Sequence, residues 1–306
     1  MSEVVLLMAY GTPERLEDVP AYYTHIRGGS APPPVLVADL IDRYRAVGGP
    51  TALNRITRAQ ARSLERALAE RGLRVPVHVG FKHVAPFIGE AVGRIAAGGV
   101  GRAVGLVLAP HYSLRSIAEY ITYAEAGRSP DLDLDIIRSW HDDPGLIAFL
   151  ADRLGEALRT AGSDPHVVFT AHSVPASVLA GGDPYPDELA RTSERVAERV
   201  GIRRWTFAYQ SAGRTREAWL GPDIREVIDA LAREGEKGIV VQPIGFVADH
   251  LEVLYDLDIE ARAAAERCDL SFARTRMPNA DPAFIAVLAE IVASRLAADR
   301  PPADRT

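Results

Sequence analysis

Apolar residues fall along this chain in short dense runs, separated by longer stretches where they recur every three or four positions. Eight runs of six or seven residues stand out, at 4–9, 75–81, 103–109, 134–139, 166–171, 204–209, 238–244 and 270–275. Such near-continuous hydrophobicity predicts strands buried on both faces, as in a parallel sheet. The stretches between them carry helical periodicity, so the expected class is α/β with helices flanking parallel sheets. The runs also divide into two matching sets of four. Leu7-Met8-Ala9-Tyr10-Gly11-Thr12-Pro13 in the first set is echoed by Phe169-Thr170-Ala171-His172-Ser173-Val174-Pro175 in the second. This predicts two units, each like half of a doubly wound sheet. The division falls near Asp142-Asp143-Pro144, giving lobes at 1–144 and 145–280. The last helical pattern, about 281–299, is expected to pack back on the first lobe, and 300–306 reads as a loose tail.

Composition narrows the class. The chain has 306 residues, 47% of them hydrophobic, which is ample for two domains. A net charge of −6 and a pI near 5.8 disfavour nucleic acid or an anionic membrane as the main partner. Cys268 alone excludes an internal disulfide and any four-cysteine cluster made by one chain. No apolar run approaches the roughly 18 residues of a spanning helix, and the first residues lack a signal-peptide pattern. A protein of the cytoplasm is expected.

Candidate chemistry gathers at the ends of the predicted strands, where open α/β sheets bind their ligands. Tyr10, Lys82, His83, His111, His172 and Gln210 all lie there. After the seventh run comes Gly245-Phe246-Val247-Ala248-Asp249-His250-Leu251-Glu252, with carboxylates recurring at Glu252, Asp256 and Glu260. On an α-helix this spacing lines one face over about 12 Å. Such a row repels itself, which suits a solvated face or a bound cation; carboxylate oxygen is a good ligand for divalent metals. One imidazole and one carboxylate at two strand ends would make a labile Fe²⁺ or Zn²⁺ site. His83, His111 and His250 are expected to bond or cap rather than ligate. No G-x-G-x-x-G follows a strand, and the Walker A, G-x-S-x-G and H-E-x-x-H patterns are missing, so dinucleotide, nucleotide, hydrolase and zincin chemistry are disfavoured.

Met8 to Pro13, Tyr22-Tyr23-Thr24-His25-Ile26-Arg27, Asp42-Arg43-Tyr44, Ala171 to Pro175, Gly182-Asp183-Pro184-Tyr185-Pro186, Trp219-Leu220-Gly221-Pro222 and Gly245 to Asp256 together resemble the ferrochelatases. The resemblance is greatest to the bacterial monomeric type that metallates coproporphyrin III. It implies a chelatase fold of two Rossmann-like lobes, each with a four-stranded parallel sheet, and a porphyrin held between them. It implies insertion of Fe²⁺ as a substrate, with no permanently bound cofactor, and allows transient contact with other haem-pathway enzymes. Carried over by position, His172 and Glu252 are the catalytic, metal-facing pair. Tyr10 lies on the opposite face of the macrocycle, axial to the product iron. Asp256 and Glu260 continue the acidic line toward a second divalent cation or a shuttle, in a segment that is partly π-helical in relatives. Arg27, Arg43, Tyr44, Thr51 and Tyr120 fall at porphyrin-binding positions. Two departures stand out: Gly28 replaces a second arginine after Arg27, and Cys268 alone cannot hold the iron–sulfur cluster of some relatives.

Competing expectations are a ferrochelatase for protoporphyrin IX, a tetrapyrrole or metal carrier without turnover, and a sister chelatase that loads cobalt or nickel into a reduced tetrapyrrole. The His172 and Glu252 pair argues against the carrier, and the Arg27 and Arg43 set against the sister chelatase.

Overall fold

The computed structural model describes residues 2–162, 164–213, 215 and 217–298; the tail expected at 300–306 lies outside the described residues. All eight expected strands are present, each end within two residues of its expected position. They are β1 (Glu3–Ala9), β2 (Val77–Phe81), β3 (Arg102–Val107), β4 (Asp133–Ile137), β5 (His166–His172), β6 (Trp205–Gln210), β7 (Gly238–Pro243) and β8 (Ser271–Arg274). They form two all-parallel four-stranded sheets, ordered β2-β1-β3-β4 and β6-β5-β7-β8. The same strand order in both halves matches the doubling in the sequence.

Ten α-helices are described. The first five are α1 (Val19–Ile26), α2 (Pro34–Ala46), α3 (Leu53–Glu70), α4 (Ile88–Ala97) and α5 (Ile117–Ala126). The others are α6 (Pro144–Thr160), α7 (Tyr185–Val200), α8 (Ile224–Arg233), α9 (Arg262–Arg267) and α10 (Pro282–Ala298). A ten-residue π-helix, Glu252–Ala261, runs directly into α9.

Alternation along each strand sends side chains to two separate cores. Val5 and Leu7 of β1 join a core with α3, α6, α7 and α10 that also takes Val167 and Phe169 of β5. One continuous core therefore runs through both lobes. Val4, Leu6 and Met8 face α4 and α5 on the outside of the first sheet. Val168 and Val241 face α8, α9 and the π-helix on the outside of the second. α10 lies against α3, α6 and the first sheet: Phe284 packs on Trp140 and Phe149, and Arg295 pairs with Asp135 of β4 at 2.6 Å.

The strand order fixes where a ligand can enter. The connections leaving β1 and β3 diverge to opposite sides, as do those leaving β5 and β7, which opens a crevice at the carboxyl end of each pair. His172 ends β5, and Tyr10, His111 and Glu252 follow β1, β3 and β7.

Candidate active site

Both crevices open into one cleft of about 570 Å³ lined from both lobes. Its floor is built on tight backbone turns. Gly11 holds a φ of +84°, and a Cβ there would sit 2.6 Å from Val84. Gly245 lets the turn after β7 close on β5, since a Cβ would meet that of Ala171 at 2.7 Å. Asn54 of α3 then bolts the first turn in place, accepting from Thr12 N at 3.0 Å and donating to Thr12 O at 2.8 Å.

His172 and Glu252 face each other across the second crevice, Nε2 to Oε1 at 3.4 Å. His250 approaches the other carboxylate oxygen, also at 3.4 Å, so Glu252 is clasped by two imidazoles. Each ring is oriented through Nδ1, His172 by the Ser173 carbonyl and His250 by the Ala248 carbonyl at 3.0 Å. Both rings therefore turn Nε2 to the carboxylate. Burial by itself would push the His172 pKa down, but the Glu252 charge outweighs it and raises the group to about 9. Burial likewise disfavours the Glu252 anion, yet His172 and His250 hold its pKa well below the usual carboxylate range. The resting pair is imidazolium against carboxylate.

Asp256 follows one turn later. Burial, reinforced by Glu252, raises its pKa to about 6 against the opposing pull of Ser211 and Arg43. Asp256 lines the cleft, whereas Glu260 lies beyond its wall. The expected single α-helical row is thus a π-helix whose i→i+5 bonding widens the turn. Among the described residues, no group of three or more His, Cys, Asp or Glu is spaced as a ready cation cage. His172 and Glu252, with His250 alongside, form the best-placed N/O donor set.

Tyr10 occupies the first-lobe side, 38% exposed into the cleft, its ring 4.4 Å from that of His83. Lys82 is buried beside it, with Nζ 2.6 Å from Glu119, 5.7 Å from the Tyr10 ring and 5.2 Å from the Tyr120 ring.

The expected porphyrin contacts are spread unevenly. Arg43, Tyr44 and Tyr120 line the cleft. Arg43 is already engaged by Asp39 at 3.1 Å, Asp256 at 3.7 Å and the Tyr255 ring at 4.9 Å. The Tyr44 hydroxyl bonds Thr12 at 2.9 Å. Arg27 is exposed at the end of α1, and Thr51 has its hydroxyl enclosed without a partner; neither lines the cleft. His83 and His111 bond His25 and Thr192, as expected of non-ligands. His250 likewise bonds, to the Ala248 carbonyl, and in addition joins the Glu252 clasp. Two residues apart, His250 and Glu252 share no face of a regular helix, so spacing gave no sign of it. Ser211 and Arg115 line the cleft without any motif to mark them.

A family model described as Ferrochelatase matches residues 2–296. A Ferrochelatase from Thermus thermophilus is 46% identical over 311 residues, covering 94% of this chain and 98% of the relative. The Coproporphyrin III ferrochelatases of Geobacillus thermodenitrificans and Bacillus subtilis are 43% and 40% identical, each covering at least 95% of this chain and 96% of the relative. Among solved structures, SirB from Bacillus subtilis with Fe³⁺ superposes with a TM-score of 0.59 at 12% identity, covering 97% of this chain and 96% of that one. That likeness concerns the fold alone, and it confirms the chelatase architecture. With the family model and the sequence relatives spanning nearly its whole length, this chain belongs to the ferrochelatase family, enzymes that insert metal into a porphyrin in haem synthesis.

Proposed function

We propose that this enzyme inserts Fe²⁺ into coproporphyrin III to give coprohaem, acting as a cytoplasmic monomer in a bacterial haem pathway. The observation that carries the reading is the His172–Glu252 pair, 3.4 Å apart in a cleft whose other side presents Tyr10. Insertion consumes Fe²⁺ and the free-base porphyrin and yields the metalloporphyrin and two protons. The resting pair already holds one proton, on His172. Arrival of Fe²⁺ at Glu252 and His172 displaces that proton to solvent and raises the charge of the site by one; once the ion passes into the ring, the freed neutral imidazole can accept a pyrrole proton. Asp256 and Glu260 extend the acidic path along which protons leave or a second cation sits. Tyr10 bounds the opposite face of the macrocycle and reaches the iron of the product.

Several relatives named for coproporphyrin III favour that substrate. Its four propionates also suit a cleft lined by three basic groups, Arg43, Lys82 and Arg115. Protoporphyrin IX would place vinyl groups on one of those edges. Parallel assays with both porphyrins test the choice, and a preference for protoporphyrin IX would refute it. In the same assay His172→Ala and Glu252→Gln should each lose at least 100-fold in turnover, on the scale of removing a catalytic acid–base group. Porphyrin binding, followed by fluorescence quenching, should stay close to the parent. Parental turnover in either variant would remove the pair from the mechanism.

A further inference from the structure

Ser211, the residue after β6, has a φ of +60°. It is one of four non-glycine residues with positive φ among those described, and the only one of the four that lines the cleft. A side chain in the left-handed region costs stability unless local contacts compensate, and such residues gather at functional sites. No tight turn explains a serine here, since glycine would adopt this conformation without strain.

The hydroxyl supplies the reason. Ser211 Oγ donates to the Asp256 carboxylate and accepts from the Gln210 amide at 3.4 Å. The same amide donates to the Glu252 carbonyl at 3.1 Å. Gln210 cannot flip, because the Glu252 carbonyl can only accept, so the amide oxygen is left to take the Thr170 proton at 2.8 Å. Every proton in the chain Thr170, Gln210, Ser211, Asp256 therefore has one direction. Gln210 and Thr170 are buried, and Gln210 sits in register with His172 on the paired strands. A rigid strand pair carrying His172 thus also fixes Glu252 and Asp256 on the π-helix.

We propose that Ser211 is a positioning residue, held in a strained backbone conformation so that its hydroxyl sets Asp256 in line with Glu252 for the incoming metal ion. The inference rests on the metal path proposed above. It makes stability and activity move in opposite directions at one position. Ser211→Gly relieves the strain but removes the hydroxyl; Ser211→Ala removes the hydroxyl and keeps the strain.

The test is steady-state insertion of Fe²⁺ and of Zn²⁺ into coproporphyrin III by the full-length parent and both variants, with Tm measured alongside. Both variants should lose about tenfold in kcat/KM for metal, the scale for removing a hydrogen-bond partner of a metal-handling group. Porphyrin KM should stay within about twofold. Ser211→Gly should melt about 2 °C or more above Ser211→Ala. Parental metal kcat/KM in Ser211→Gly, or a loss that appears in porphyrin KM instead, overturns the inference alone. An inactive parent overturns it together with the porphyrin reading.

Discussion

Glu252 is the residue on which the site's charge depends. It faces His172 and His250, and it acts on the buried Asp256 one turn away. The sign of the coupling sets a pH dependence. His172 titrates at about 9 in the folded chain, against 6.5 for a free imidazole. The folded state binds that proton more tightly, so the pair's contribution to stability is complete below pH 6.5 and is lost as pH climbs through 9. With both side chains about one-third exposed, solvent screens the effect. A Tm series from about pH 6 to 10 should drift downward in the parent across that interval. Glu252→Gln should flatten the drift, and an equal slope in both would rule out the pair as its source. Asp256 behaves in the reverse sense to an ordinary paired acid. Raised from 3.8 to about 6, it is neutral below that value, so metal KM should climb as pH falls under 6.

Elements bring these residues together through close backbone contacts. The turn after β7 passes so near β5 that only Gly245 fits, with Ala171 directly beneath it. Gly245→Ala should cost about 1–3 kcal/mol by overpacking. It should also move Glu252 relative to His172, so chemical denaturation and metal insertion should both register the change. An unaltered denaturation midpoint would mean that the contact relaxes freely. The π-helix is held from outside by arginines. Arg274 grips Asp258 with two bonds of 2.7 and 2.8 Å, Arg262 reaches the Asp258 and Phe272 carbonyls, and Arg43 covers Tyr255. Spacing alone reads Glu252, Asp256 and Glu260 as one α-helical row. The partners that favour the wider turn come from α2, β8 and the start of α9, distant from it or outside its repeat.

At the scale of the molecule, two similar sheets share a core, and the last helix closes it. Buried Arg102 of β3 bonds Glu3 and Asp135 at 3.3 Å, and the Arg295 and Leu296 carbonyls at 3.1 and 3.4 Å. It ties both the first strand and the end of α10 to the sheet. Arg102→Met would remove the charged hydrogen bonds to Glu3 and Asp135, while Arg295 still holds Asp135, at a cost of about 1.5–3 kcal/mol. The denaturant midpoint should fall accordingly, while metal insertion by the protein that remains folded should be unchanged, because the network lies at the far ends of the strands from the cleft. A loss of turnover per folded molecule would show that the two ends are coupled.

The eight strands, their parallel arrangement and the doubling were legible in the order of residues, because strands buried on both faces must be apolar throughout and that pattern is local. The same order also singled out Tyr10, His172 and Glu252, because the turn at each strand end carries its own distinct motif. Tertiary structure alone decided which of the remaining candidates reach the cleft. Arg27 and Thr51 fall outside it, Arg43 is taken up by Asp39 and Asp256, and His250 and Ser211 enter the Glu252–Asp256 cluster. Those outcomes depend on partners that arrive from distant elements, as Asp256 does for both Arg43 and Ser211, on burial that shifts charge, and on a widened helix. None of these leaves a periodic trace along the chain. Local pattern encodes the frame, and long-range packing sets the chemistry within it.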